Sequence, residues 1–492
     1  MISIGLIHTG CTDLEVKEID SIVTENEAGE FSGDAGALLR TSYNQLAALT
    51  NQASVYSLYE HTSDELLGPT RGTDWGDNGV WRLLHSHQWD ENHQYVLDAW
   101  NEMNGRAYVA TQVLASQDPA PNAQQAAEAK FLRAFYMWHV MDLFGQVPFR
   151  EINDGVNIDP RVLSRSEALD FIVKDLEEAL PDLPVIGPAQ GNTQASKAAA
   201  NALLARIYLN KGVYLANVDE QGSISVTYDP ADMTAVVEAA DAVAADGYAL
   251  EEDYFKIYTS APQSEVILSS PQGSAENRYF MTLHYDHNPS GWNGFTTLAD
   301  FYGTFEDQDT RKGISADPDG SDFSGIGLGF LIGQQYADDG TAITNSRSGL
   351  PLAYEPEVPL IGADTDDGIR AIKYHPADKG NYILLRYADV LLMKAEALLR
   401  NGNSGEALTI VNELRATRGA STLASLDENA LLEERGRELY WEGYRRLDQI
   451  RFGTFTNGTW DWKENTESFR VLFPIPQQAL DSNPNLVQNP GY

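Results

Sequence analysis

The chain has 492 residues, of which 42% are apolar, and it carries 72 Asp and Glu against 34 Lys and Arg, a formal charge of −38. The apolar share is enough for a large folded core and excludes a disordered chain. The charge repels nucleic-acid phosphates and anionic lipid alike, so nucleic-acid binding is excluded and any membrane attachment is covalent or through a partner.

The chain opens with a short apolar run, Met1–Ile7, followed by His8-Thr9-Gly10-Cys11. Residues 1–10 read as the end of a secretory signal that is removed. Cys11 is the single cysteine, so no intramolecular disulfide and no Cys-based zinc site can form. Small residues before a lone cysteine resemble a bacterial lipobox, which makes Cys11 the lipidation candidate and residues 11–30 a solvated tether. The plainer alternative is a free thiol. No stretch approaches the roughly 20 apolar residues of a membrane-spanning helix.

Residues 31–248 show apolar spacings of three and four that predict helices. An internal repeat is visible: Ala205, Tyr208 and Gly212 have the same spacing as Ala395, Leu398 and Gly402, and Ala407, Val411 and Leu414 follow the second set. Small–large–Gly followed by Ala–x3–apolar is the pattern of a tetratricopeptide helix pair, in which the small residue lets two helices approach closely. Residues 127–145 with 164–180 predict a third pair, and 36–57 with 92–116 a fourth. The fold class expected is therefore mainly α, a tetratricopeptide-like scaffold of about four helix pairs. Residues 249–380 interrupt it with a loop-rich insertion dense in Gly, Asp, Pro and Ser, containing a strand near Glu265–Ser269. Its aromatics (Tyr279, Phe280, Trp292, Phe295, Phe301, Tyr302) argue against disorder, and loops on a rigid scaffold commonly carry function. Helical pattern resumes over 381–453, and 454–492 reads as an extended tail packed on the scaffold.

Four stretches carry a family resemblance: AEAKFLRAFYMWHVMDLFGQVPF (127–149), LLRYADVLLMKAEALL (384–399), ERGRELYWEGYRRLDQIRFG (434–453) and LFPIPQQALDSNPNLVQNPGY (472–492). Together they resemble the SusD/RagB family of outer-membrane nutrient-binding lipoproteins of Bacteroidetes. The resemblance implies a monomeric helical-repeat protein, held on the outer leaflet by a lipidated N-terminal cysteine and capping a SusC-like TonB-dependent transporter. It implies capture of oligosaccharides, less often peptides, with no catalysis. The function expected is cell-surface glycan binding. An oligopeptide-capture member of the same family and a surface glycoside hydrolase are the alternatives.

A sugar site needs aromatic rings to lie against C–H faces and planar polar groups to meet hydroxyls. Four of the nine tryptophans (Trp75, Trp81, Trp89, Trp100) fall within 75–100. Trp100 shares a helical stripe with Leu97 and reads as core. Val80, Leu83, Leu84 and His87 predict the apolar face of a short helix, leaving Trp81 and His85, at i and i+4, on an adjoining face. Trp75 lies in a Gly/Asp turn, RGTDWGDNG. Trp292, flanked by Gly291 and Asn293-Gly294, is carried on an exposed turn, and the family's ligand face is built from the early region and this insertion. The expected ligand contacts are Trp292, Trp75 and Trp81, with Asp64, Arg71, Asn78, Arg347 and Tyr374 as polar partners. For each tryptophan the alternative is a local hydrophobic cluster.

Neither a Gly-Lys phosphate loop, nor a G-x-S-x-G elbow, nor an H-E-x-x-H pair occurs. No catalytic residue, cofactor or metal is expected. His85-x-His87 and His284-x2-His287 lack obvious further ligands. Asp317, Asp319 and Ser321 have the spacing of a calcium loop but no closing Glu.

Overall fold

The computed structural model describes residues 23–25, 31–151, 158–188, 192–216, 226–271, 275–287, 290–315, 325–337 and 339–492, together with Asp154. Cys11 and the Asp317–Ser321 spacing lie outside them. A short antiparallel pair, β1 (Val23–Glu25) and β2 (Phe31–Gly33), precedes α1 (Ala35–Asn44), α2 (Ser54–Glu60) and α3 (Val80–His85). The long helices α4 (Gln94–Ala115) and α5 (Ala123–Phe144) follow, then the β3 (Val147–Phe149)–β4 (Arg161–Leu163) hairpin and α6 (Arg165–Ala179). Next come α7 (Lys197–Tyr214) and α8 (Pro230–Ala245).

Local chemistry sets these boundaries. Asn122 and Gln125 form a capping box at the start of α5, and Gly145 ends that helix at φ 74°, its N–H donating to Met141 O. Ser164 and Glu167 form the same box at α6. Asp229 caps α8 ahead of Pro230, which sits where a helix can spare its N–H. The buried small residues Ala198, Ala199, Ala200, Ala202 and Ala205 let α7 pack closely among its neighbours.

Within the insertion lie β5 (Val266–Ser269), α9 (Glu276–Phe280), α10 (Ala299–Gly303), β6 (Gly313–Ile314), β7 (Leu328–Leu331), β8 (Gly333–Gln334), β9 (Ala353–Tyr354) and β10 (Arg370–Ile372). β7 is the centre of a small antiparallel sheet in the order β10-β7-β6, and β8 pairs with β9. β11 (Ile383–Arg386) pairs antiparallel with β5 and leads directly into α11 (Tyr387–Arg400). The helices then continue with α12 (Ser404–Thr417), α13 (Glu428–Leu439), α14 (Arg445–Arg451) and α15 (Gln477–Ser482).

Packing follows the expected pairing. α1 lies on α4, α5 on α6, α7 on α8, and α11 on α12, with α8 against α11 joining the last two pairs. This is the tetratricopeptide-like scaffold. The terminal residues fold back onto α5 and the α3–α4 connection: Phe473 N donates to Leu143 O at 2.8 Å, Asn489 Nδ2 to Phe144 O at 2.9 Å, and Trp89 Nε1 to the Tyr492 hydroxyl at 2.7 Å.

α13 stands between scaffold and insertion and is studded with buried ions. The Glu438 carboxylate takes Arg386 (2.8 Å) and Arg418 (3.0 Å) on one oxygen and Arg311 (3.1 Å) on the other. Glu434 receives Arg311 and Arg415, and Arg435 bridges Asp389 and Asp448 at 2.8 and 2.7 Å. Glu265, at the foot of β5, joins Arg386 and Arg418. Removing one member of such a buried set strands its partners, at a cost of about 3–5 kcal/mol. Glu438→Ala is therefore expected to lower the urea-unfolding free energy by about that much. A loss below about 1 kcal/mol would show that the surrounding arginines rearrange freely.

Buried carboxylates here titrate in opposite senses. Burial works against the charge on Asp389, but Arg206 and Arg435 outweigh it and hold the group at about 2; Glu396 is kept at about 2 in the same way by Arg451 and Arg400. Their stabilisation is present above the unfolded carboxylate range and is lost as pH falls toward 2. Glu60 behaves oppositely. Burial pushes it up to about 7 despite the Gly443 N–H it accepts, so its ionisation costs stability as pH rises from about 4.5 through 7. The stability of Glu60→Gln relative to wild type should increase between pH 5 and pH 8, by on the order of 2–3 kcal/mol in denaturation midpoints converted to free energy. A difference that is flat with pH would refute the assignment.

Candidate functional site

The expected ligand residues divide between one exposed face and the interior. Trp292 is 44% exposed, Trp75 is half-buried beside it, and the Trp75 Nε1–H donates to Trp292 O at 3.1 Å. Phe280 lies parallel to Trp292, with ring centroids 5.9 Å apart and 17° between planes. Arg347, exposed, forks onto Asp74 Oδ2 at 3.3 Å through both terminal nitrogens and lies 4.3 Å from the Tyr285 ring. Asn78 is exposed on the same turn as Asp74 and Trp75. The residues so assembled come from 74–78, 280–292 and 347.

The turn 71–79 is strained. Trp75, Asp77 and Asn78 have φ of 60°, 34° and 52°, a region that disfavours side chains by about 1–3 kcal/mol each. Its surroundings over-determine it. Arg71 N and Asp74 N each donate to the other's carbonyl, Trp81 Nε1 donates to Asp77 Oδ2 at 2.7 Å, and the Trp75 ring packs on Phe295 at 4.9 Å. Gly294 is required at this contact, because a Cβ there would meet the Trp75 ring at 2.4 Å.

Two buried guanidiniums underlie the face. Arg71 donates to the carbonyls of Gly294 (3.2 Å), Asp364 (2.5 Å) and Asp367 (2.9 Å). Arg370 donates to Asn293 Oδ1 at 2.9 Å and to the carbonyls of Thr365, Asp367 and Gly368, while burial lowers its pKa to about 10. Asn293 Nδ2 closes the set on Thr365 O at 2.9 Å. Trp292 is thus an exposed ring on a loop whose backbone is clamped from below.

Several expectations are corrected. Trp81 is 2% exposed, packed against Phe295 and Tyr95 at 4.9 and 4.7 Å, because these two rings cover the face of α3 that looked free. Arg71, 2% exposed, spends its donors on backbone carbonyls rather than on a ligand. Tyr374 is 4% exposed and its hydroxyl accepts from Ile383 N at 2.9 Å. Asp64 is not among those corrected: it stays half-buried, paired with Arg445 at 2.7 and 2.8 Å. Trp100 is core, as expected.

Both histidine pairs are buried too. His85 Nε2 is 2.7 Å from Asp461 O, and His87 Nε2 is 2.8 Å from Thr62 O. Burial drives His284 to about 3 and His287 to about 4, so both are neutral at pH 7. Among the described residues no group of three or more His, Cys, Asp or Glu side chains is disposed to hold a metal ion.

Asp74, Phe280 and Tyr285 were missed as site members. Asp74 precedes Trp75 directly, and that adjacency was the available signal. Phe280 and Tyr285 meet the site only through the fold of 280–295.

Chemically, this is an open aromatic shelf with a carboxylate, an amide and a guanidinium at hand: a surface that stacks on a ring and fixes its orientation by directional hydrogen bonds.

Comparison with known proteins follows the same line. Residues 22–209 match the family described as "Starch-binding associating with outer membrane", and residues 371–492 match the SusD family, the two covering more than half of the chain. The starch-binding protein SusD of Bacteroides thetaiotaomicron is 28% identical over 76% of this chain and 74% of its own. A SusD-like crystal structure from Bacteroides fragilis superposes with a TM-score of 0.70 at 19% identity, covering 93% of this chain and 97% of that one. Surface glycan-binding protein A of Bacteroides thetaiotaomicron, in complex with laminarihexaose, gives 0.65 at 18% identity over 93% and 99%. With both halves of its scaffold matched and its fold shared with these structures, the chain belongs to the SusD family.

Proposed function

We propose that this protein captures glycan at the cell surface on the shelf formed by Trp292 and Trp75, with Phe280, Asp74, Asn78 and Arg347 around them. The carrying observation is the exposed Trp292 indole on a loop clamped by Arg370 and Asn293. A ring already fixed in place loses little conformational freedom when a sugar stacks on it. The starch-binding relative and the laminarihexaose-bound structural neighbour support the ligand class. A chain of charge −38 favours neutral over uronic or sulfated glycans. Asp74 is already committed to Arg347, so the carboxylate beside Trp75 acts as a hydrogen-bond acceptor, and the role assigned is binding without turnover.

An acylated Cys11, a place on the outer face of the outer membrane and service to a SusC-like TonB-dependent transporter complete the proposal. The match to a family described as associating with the outer membrane supports that location.

Affinity electrophoresis against soluble starch, laminarin, alginate and a peptide panel tests the ligand class. At least one neutral polymer should retard the protein, and Trp292→Ala should weaken that binding about tenfold or more. Retention by peptides alone, or release of reducing ends, would replace this reading. Cys11→Ser expressed in a lipoprotein-processing host should move the protein from the membrane to the soluble fraction and abolish acyl labelling. Unchanged membrane partition would remove Cys11 as the anchor.

A further inference from the structure

Of the nine tryptophans only two are exposed, Trp292 and Trp462. Trp462, 50% exposed, lies far along the chain from the shelf, in the segment between α14 and α15. Trp460 N donates to Lys463 O at 3.2 Å and Lys463 N to Trp460 O at 2.9 Å, so Asp461 and Trp462 form a two-residue hairpin turn. Trp462 has φ 67° at the second position of this turn, where glycine is the ordinary occupant. Holding a large apolar ring in that conformation and in water is costly on both counts.

The turn is rigidly built all the same. The buried Lys463 Nζ donates to the carbonyls of Phe455 (2.7 Å), Thr456 (3.3 Å) and Gly458 (2.5 Å), and it sits 4.2 Å from the Trp460 ring. His87 packs on Phe455 at 4.4 Å and Trp460 at 5.7 Å. His85 Nε2 lies 2.7 Å from Asp461 O, docking the turn on the C-terminal end of α3. The turn of Trp75 leads into the other end of that helix, whose six residues span about 9 Å. The two turns are therefore fixed to opposite ends of one short element. Trp441 shares the positive φ but is buried, its Nε1 spent on Glu65 O, so conformation alone does not mark a site.

The surroundings of Trp462 indicate what it meets. Asp461, Glu464 and Asn465 are exposed beside it, as are Asn457 and Thr459. An indole whose exposed neighbours along the chain are carboxylates and amides is a poor core for a protein interface, which excludes charge at its centre. The same carboxylates repel anionic lipid. A neutral hydroxylated ring satisfies both kinds of group, with its C–H face on the indole and its hydroxyls on the carboxylates and amides.

We propose that Trp462 is a second glycan contact, separate from the Trp292 shelf, which stacks on a neutral pyranose ring of a polymeric ligand. The proposal rests on the glycan-capture reading above. Two contacts engaged by one polymer raise its retention well beyond that of an oligomer that reaches only one.

The test compares wild type, Trp462→Ala, Trp462→Gly and Trp462→Tyr in affinity gels containing soluble starch or laminarin, and by calorimetry with maltoheptaose and laminarihexaose. Trp462→Gly suits the positive φ and guards against a folding defect, and circular dichroism checks all variants. On whichever polymer retards wild type, the Ala and Gly variants should bind about three- to tenfold more weakly, with Tyr intermediate. Affinity for the matching oligosaccharide should change less than twofold. Ala and Gly variants indistinguishable from wild type on that polymer would overturn the second contact and leave the shelf standing. A wild type that no glycan retards would instead sink the capture reading itself.

Discussion

Helix α13 has to be charged on the inside. Glu434, Arg435 and Glu438 project from one helix into the protein, and each is neutralised by groups from elsewhere: Arg311 from the insertion, Arg386 from β11, and Arg415, Arg418, Asp389 and Asp448 from the scaffold, while Asp309 and Glu265 complete the pairing of those arginines. Taking this many ions out of water is expensive, and only near-complete pairing offsets it. Such pairing is directional where apolar packing is forgiving. An insertion docked by leucines tolerates small slides, whereas one docked by forked guanidiniums has a single seating.

A similar logic operates nearer the surface with a different partner. Arg71 and Arg370 gather carbonyl oxygens from loops distant in sequence, and the loops so gathered carry Trp75 and Trp292. Irregular backbone has unsatisfied carbonyls wherever no ladder forms, and a planar five-donor group satisfies several at once. The shelf is irregular and rigid together because the missing secondary structure is replaced by side-chain donors.

Much of this was legible in the chain. Spacings of three and four, with small residues at repeated positions, specify helix pairs, and the pairs α1–α4, α5–α6, α7–α8 and α11–α12 followed. Strand β5 fell where the apolar run between turn residues put it. That Trp292 and Trp75 lie on turns was readable, because Gly, Asn and Asp around a large ring signal one. What failed depended on contacts across hundreds of residues. The i, i+4 spacing of Trp81 and His85 reported one helix face correctly but not that Phe295 covers it. Arg71 sits beside a glycine in a polar turn and reads as surface, and nothing local reveals the three carbonyls that surround it. The charged run ERGRELYWEGYRR looks like a solvated face by composition, since buried ions are recognised only when their counter-ions are in view. Trp462 carries no such signal, since its segment matches no repeat and its turn has no glycine to announce it.

The forked pairs around α13 also bear on movement. A joint made of ions cannot open by degrees, since each partial separation leaves a bare charge away from water. The loop that carries Trp292 belongs to the insertion those pairs hold, so insertion and helical frame form one mechanical unit.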